Sequence, residues 1–407
     1  MKKFIAIYFI YLHVFNHPVL VAQNCGFIHQ KNDNIEYFTE GYVRQFSERL
    51  QTRRVVQIPI VVHIVYNSDI ENISLAQIQS QIDVLNRDFR KRNADTSDTP
   101  FNFKSRAVDC EFEFHLATRD TNGAPTTGIV RESTSVMNIG SQFFDISQRK
   151  IYYSDFGGDN AWKPSHYLNI WVCAINGDLM TGTNGFATPL AQALQTPAED
   201  GCVVDYRAFG TVGTLRPFRQ KGRTLVHEIG HYFNLLHIFG SDATCNDDDE
   251  VADTPLQAGQ SIGCPAFPTP QSCAGNGGDM FMNYMDYSYD GCLNMFTLGQ
   301  KARMWASLMG FRQGLLGGGV KTNNVYNPEW RISPNPTDGN LQIEVDNKSA
   351  QSSKLIKILN IYGNVIWQKT FETETINADI RTFINGVYFM TLTVDNHVFM
   401  KKIVLNK

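Results

Sequence analysis

His227-Glu228-Ile229-Gly230-His231-Tyr232-Phe233-Asn234-Leu235-Leu236-His237 gathers three imidazoles and a carboxylate into one short segment. The stretch that begins at Thr224 has helical periodicity, with Leu225, Ile229, Phe233 and Leu236 on one apolar side. Positions four apart share a helix face, so His227 and His231 can reach one ion together. A catalytic zinc takes about three protein ligands, imidazoles at roughly 2.0–2.1 Å, and leaves a position for water. The third ligand must come from further along, and His237 follows His231. A continuous helix would rotate His237 off the shared face, so the chain is expected to leave the helix near Asn234 and turn back. That turn calls for positive φ, where asparagine is the next best residue after glycine. Glu228, beside a ligand on the same helix, is placed to serve as general base toward water.

Working outward, residues 55–66 form a dense apolar run that predicts a strand buried on both faces. Ser74 can cap a helix whose Leu75, Ile78, Ile82, Leu85 and Phe89 recur at three- and four-residue intervals. Phe112, Phe114 and Leu116 alternate with polar residues as in a half-buried strand, and 167–175 is another apolar strand. Positions 176–222 read as loops carrying the short apolar segment Cys202-Val203-Val204, and 240–296 is a long irregular stretch. A loop that long is expected to be functional or tied down by metal or disulfides. Thr297 and Gln300 make a capping box for a last helix carrying Met304, Trp305 and Leu308. Beyond Gly317-Gly318-Gly319, short alternating segments with turn signals at Tyr362-Gly363-Asn364 and Asp395-Asn396 predict a small β-sandwich. The expected fold class is α+β: a mixed twisted sheet with a backing helix and an active-site helix, then a small all-β sandwich.

The chain has 407 residues, 43% hydrophobic and 19% charged, with a formal net charge of -4. That is room for two or three domains, and it lacks the basic field expected of a nucleic-acid partner. Lys2 and Lys3 precede an apolar run from Phe4, and a small residue stands near Ala22, which reads as a secretory signal peptide over 1–22. The run is broken by His13, Asn16, His17 and Pro18, too interrupted for a membrane span. Eight cysteines in an exported chain favour disulfides, and four of them crowd between 245 and 292. The resulting division is a pro-segment at 23–53, a catalytic domain at 54–316, a linker at 317–327 and the β-sandwich at 328–407.

The helix segment followed by Met282-Asn283-Tyr284-Met285-Asp286-Tyr287 resembles the signature of the metzincin metallopeptidases, whose zinc helix is followed by a methionine-containing turn. Together with Glu250-Val251-Ala252-Asp253-Thr254-Pro255 and the crowded cysteines, it is similar to the pappalysin branch, with its cytophagalysin/ulilysin-like enzymes. The departure is Asn234, where that pattern has glycine. The resemblance implies that Met285 is an apolar floor beneath the zinc and that Tyr287 approaches the metal or stabilises the transition state. It places calcium at Asp249, the Val251 carbonyl, Asp253 and Thr254, and pairs Cys245 with Cys273 and Cys264 with Cys292. Related pro-segments carry a Cys-Gly, which makes Cys25-Gly26 a candidate latency element in which the thiolate blocks the zinc, with release by cleavage near Arg53-Arg54. The alternative for Cys25 is a disulfide to Cys110, Cys173 or Cys202. Ser333-Pro334-Asn335-Pro336-Thr337-Asp338-Gly339 and the segments after it resemble the secretion-sorting domain of Bacteroidetes-type exported proteins, which implies recognition by export machinery.

The function expected is therefore that of a secreted zinc endopeptidase acting on proteins or peptides. The rival from another class is a catalytically silent secreted adhesin or binding protein that keeps the fold. Loss of Glu228 or a ligand would have favoured it, and all are present. Asp286 and Asp290 are candidate acidic residues of the pocket that receives a substrate side chain.

Overall fold

β1 (Val56–Tyr66) is the axis of the larger sheet. It runs parallel to β2 (Phe112–Leu116) along its first half and to β3 (Ile129–Ser133) along its second. On its other side lies β4 (Leu168–Cys173), also parallel. β5 (Gly185–Ala187) closes the edge antiparallel to β6 (Gly201–Asp205), which itself runs parallel to β4. Layers cover both faces of this mixed sheet, so β1 is buried without interruption from Ile58 to Val65. The structure, a computed structural model, describes residue 25 and residues 55–144, 149–175, 183–241, 244–266, 272–275, 277–316, 330–345, 353–359, 365–394 and 397–407.

α1 (Leu75–Asp88) starts where the Ser74 hydroxyl accepts from the Gln77 backbone N–H. Ile78, Ile82 and Leu85 are buried as expected, but Leu75 is 61% exposed. The buried face is rotated toward Gln77 and Gln81, whose side-chain amides donate to the carbonyls of Tyr206, Phe209 and Gly222. Those bonds satisfy loop backbone that would otherwise be buried unpaired. α2 (Arg223–Tyr232) lies wholly in the interior, and α3 (Leu298–Phe311) begins on the Thr297/Gln300 capping box. One apolar core joins the sheet to these helices, and a smaller one built on Tyr152, Trp171 and Val203 fills the opposite face.

The long irregular stretch before α3 is tied by disulfides between Cys245 and Cys273 and between Cys264 and Cys292. Cys110, Cys173 and Cys202 are buried and not disulfide-bonded. The C-terminal part is all-β. β7 (Trp330–Ser333), β8 (Asn340–Val345) and β11 (Thr375–Asp379) form one antiparallel sheet. β9 (Lys354–Leu359), β10 (Val365–Phe371), β12 (Gly386–Val394) and β13 (His397–Leu405) form the other. Ile343, Ile358, Met390 and Ile403 belong to their shared core. The expected segments 1–22 and 23–53 (Cys25 apart), the Arg53-Arg54 site, the linker 317–327 and the turns at 362–364 and 395–396 lie outside the described residues.

Candidate active site

α2 ends at Tyr232, and Asn234 takes φ 70°. The turned chain is held by the Leu235 N–H donating to the Gly230 carbonyl and by the Arg303 guanidinium donating to the Asn234 carbonyl. This brings His237 back under the helix. His231 Nε2 then lies 3.0 Å from His227 Nε2 and 3.0 Å from His237 Nε2. The other ring nitrogens are committed: His227 Nδ1 donates to the Tyr284 carbonyl at 2.7 Å and His231 Nδ1 to the Leu235 carbonyl at 2.8 Å. Carbonyls only accept, so these rings carry their proton on Nδ1 and present lone pairs from Nε2. Burial pushes the His227 imidazole down to about 4, against the pull of its Tyr284 bond, which keeps it neutral. A shared proton could serve one of the two Nε2 contacts; a cation serves all three nitrogens. The donor set thus fits a zinc-type ion held by imidazoles, with the His227 and His231 rings each oriented by a backbone carbonyl.

Glu228 points to the same place. Its Oε2 accepts from the Cys25 thiol at 3.4 Å, while Oε1 is buried without a hydrogen-bond partner. Burial raises this carboxyl to about 8, and the Cys25 contact works against the rise. Cys25 Sγ stands within 4.8 Å of the ligand atoms of the three histidines, and Cys25 bridges Gly185 on edge strand β5. Gly185 is needed there, because a Cβ would press on the Glu228 side chain and the Val203 carbonyl.

The turn at 282–287 lies beneath. The Met285 sulfur packs on Gly230, and Met285 N–H donates to Asn283 Oδ1. Asn283 in turn exchanges amide bonds with Gln300, so the capping box of α3 also anchors this turn. Tyr287 is buried beside His237, ring centroids 4.8 Å apart, and its hydroxyl donates to the Cys25 carbonyl at 3.4 Å. A cavity opens between Cys25, Glu228 and Tyr287 and reaches Asp286, Asp290, Arg219 and Arg223. Asp286 accepts from Gln257, Ser261 and the Tyr287 backbone, although burial still lifts it to about 6. Asp290 pairs with Arg219 and accepts from the backbone of Lys221 and Arg223. Sequence reasoning missed both arginines and Gly185. A buried arginine before a helix or in its first turn carries no signal in a single sequence, and β5 is too short to register as a strand.

Of the expected calcium residues, three converge: Thr254 Oγ1 donates to Asp249 Oδ1 at 2.6 Å and contacts the Val251 carbonyl at 2.7 Å. Asp249 Oδ2 is buried with no partner, and burial raises its carboxyl to about 8. The Asp253 carboxylate turns instead to Thr297 and the Gly299 N–H at the start of α3.

The pregnancy-associated plasma protein-A profile of the peptidases matches residues 152–309, and the secretion system C-terminal sorting domain profile matches 331–406. An extracellular metalloprotease of Arthroderma benhamiae is 30% identical over 288 residues, 67% of this chain and 89% of that one. One of Coccidioides posadasii is 40% identical over 147 residues, 36% of this chain and 51% of that one. Mature mirolysin of Tannerella forsythia, solved with a cleaved peptide, superposes at TM-score 0.61 with 43% identity, covering 68% of this chain and all of that one. A promirolysin mutant from the same organism gives TM-score 0.61 with 40% identity over 72% and 97%. The sorting tail marks the chain as secreted, and no helix among the described residues is long and apolar enough to cross a membrane. With two histidines of α2 and His237 beyond its turn convergent, a methionine turn below them and this likeness across the sheet, the chain belongs to the pregnancy-associated plasma protein-A (pappalysin) family of metalloendopeptidases, and its fold is that of the metzincins.

Proposed function

We propose that the protein is a zinc-dependent endopeptidase in which His227, His231 and His237 hold the ion and Glu228 is the general base. The observation that carries this is the convergence of three Nε2 atoms, with the Nδ1 atoms of His227 and His231 already bonded to backbone carbonyls. Bound zinc supplies Lewis acidity, polarising a peptide carbonyl and making water acidic enough to lose a proton near neutral pH. Glu228 takes that proton on a carboxylate oxygen and hands it to the departing amine nitrogen. The Tyr287 hydroxyl donates to the oxygen that gains charge as the carbonyl carbon becomes tetrahedral. Met285 closes the floor against water, and Asn234 lets the chain return with His237.

Cys25 is the latency residue in this reading. Its thiol sits against Glu228 and the histidines, and its carbonyl occupies the Tyr287 hydroxyl, so both acid-base groups are engaged before processing. Removal of residues 23–53 near Arg53-Arg54 frees them. The catalytic domain spans 54–316, and the 328–407 sandwich is the address read by export machinery after the 317–327 linker and the 1–22 signal peptide have served their parts. Calcium is assigned to Asp249, the Val251 carbonyl and Thr254, with Asp253 bracing the loop; the unpartnered Asp249 Oδ2 supports a cation there.

The test is hydrolysis of casein by processed protein, with and without a chelator. Activity should vanish on zinc removal and return with stoichiometric zinc, and unprocessed Cys25→Ala should hydrolyse faster than unprocessed wild type. Stoichiometric zinc without hydrolysis in the processed protein would favour the silent binding-protein reading.

A further inference from the structure

Two aromatic residues stand just outside the cleft. Phe218 and Tyr289 are stacked, with ring centroids 4.2 Å apart and planes 14° from parallel. Phe218 is 52% exposed and Tyr289 is partly exposed. Each is followed in sequence by a buried residue that lines the cavity: Arg219 after Phe218, Asp290 after Tyr289. The same residues therefore build the charged wall inside and the aromatic rim outside.

The backbone is shaped for this. Phe218 has φ 67°, a region that bulky side chains rarely enter. Several bonds impose it. The Asp290 N–H donates to the Phe218 carbonyl at 3.2 Å, and the Arg219 N–H donates to the Arg216 carbonyl at 3.3 Å. Arg219 then turns inward to the Ser288 carbonyl and the Asp290 carboxylate. The consequence is that neighbouring side chains diverge, one into the cavity and one onto the Tyr289 ring. On the other strand of the rim, the Tyr289 N–H donates to the Gly263 carbonyl, beside the Cys264–Cys292 bridge. Ile262, next in sequence to Gly263, is 62% exposed.

The geometry points to the Phe218–Tyr289 pair as a substrate subsite that takes an apolar, best aromatic, side chain flanking the one seated in the cavity. The occupant is the substrate polypeptide, because the rim is continuous with the cavity wall, and an extended peptide advances about 3.3 Å per residue. A side chain one or two positions from the seated one therefore falls on the rim. An aromatic ring laid against an existing stack gains both buried area and ring–ring attraction. The inference rests on the endopeptidase reading of the site.

The experiment uses processed protein and a peptide series with one cleavage site, in which each flanking position on either side is Gly, Leu, Phe or Glu. Wild type should cleave the Phe or Leu peptide at one flanking position roughly tenfold better than the Gly peptide, mostly through KM. Phe218→Asn keeps a residue tolerant of positive φ but removes the ring; the Phe/Gly ratio in kcat/KM should fall to about 1–2. Tyr289→Ala should flatten the same ratio by an independent route, so a folding failure of either variant leaves the other decisive. The inference is overturned if wild type shows no aromatic preference at any flanking position, or if a folded variant keeps it. Chelator-sensitive casein hydrolysis by wild type is read in parallel: if it persists while the preference is absent, only the subsite is wrong; if it is absent, the endopeptidase reading fails and the subsite with it.

Discussion

The Met285 sulfur fills the space that a side chain on Gly230 would need. The helix that carries two imidazoles and the turn that carries Tyr284 and Tyr287 thus meet at a contact with no slack. Gly230→Ala should therefore cost about 1–3 kcal/mol through overpacking. It should also lower kcat, because the Tyr284 carbonyl that orients His227 moves with the turn. Met285→Leu, similar in volume, should cost less than about 1.5 kcal/mol. Denaturant melts and casein hydrolysis read both; equal stability of Gly230→Ala and wild type would contradict the packing argument.

Asn234 stands at φ 70° with its carbonyl held by Arg303. Asn234→Gly should match or slightly exceed wild-type stability and keep full activity, whereas Asn234→Val should lose about 1–2 kcal/mol and much of its zinc affinity. Unfolding midpoints and zinc titration check this. An Asn234→Val protein with normal zinc affinity would show that the turn does not position His237.

How far the sequence could be read is visible in these two sites. The convergence of the three histidines, the turn at Asn234 and the Thr297/Gln300 cap rest on local rules of periodicity and φ, and all three features are present in the fold. The partners of that machinery are non-local. Gly185 meets Glu228, Asn283 meets Gln300, and Arg223 meets Asp88 and Asp95, contacts that no spacing in one chain announces. Leu75 shows the same limit from the other side: its periodicity matched the apolar stripe, but the bonds of Gln77 and Gln81 to loop carbonyls turned the helix.

Arg223 is almost fully buried between Asp88 and Asp95. Arg223→Ala removes the guanidinium that Asp88 and Asp95 share, leaving Asp88 with Arg87 and Asp95 with Lys221, and should cost on the order of 3 kcal/mol. Asp95 is pushed up by its burial, but hydrogen bonds from Arg223 and Lys221 outweigh that and hold it well below the ordinary carboxylate value of 3.8. A depressed folded pKa means stability that is present above pH 4 and lost as pH falls further. Wild type should thus lose stability below pH 4 more steeply than Asp95→Asn, as read by urea melts across pH 2–6. Parallel pH profiles would contradict the assignment.

Deleting 328–407 should leave a folded catalytic domain with unchanged kcat/KM on casein, because its core is separate from that of the sandwich. The same deletion should abolish export from the native host. Loss of activity in vitro would place the sandwich within the catalytic structure.

The division of labour at α2, imidazoles for the ion and Glu228 for the proton, is tested most directly by kcat/KM of processed Glu228→Ala measured on protein of known zinc content. The account predicts zinc near one per chain and kcat/KM lower by roughly 100- to 10,000-fold, since the base is removed and no ligand is. Near-normal hydrolysis by the zinc-loaded variant would contradict it.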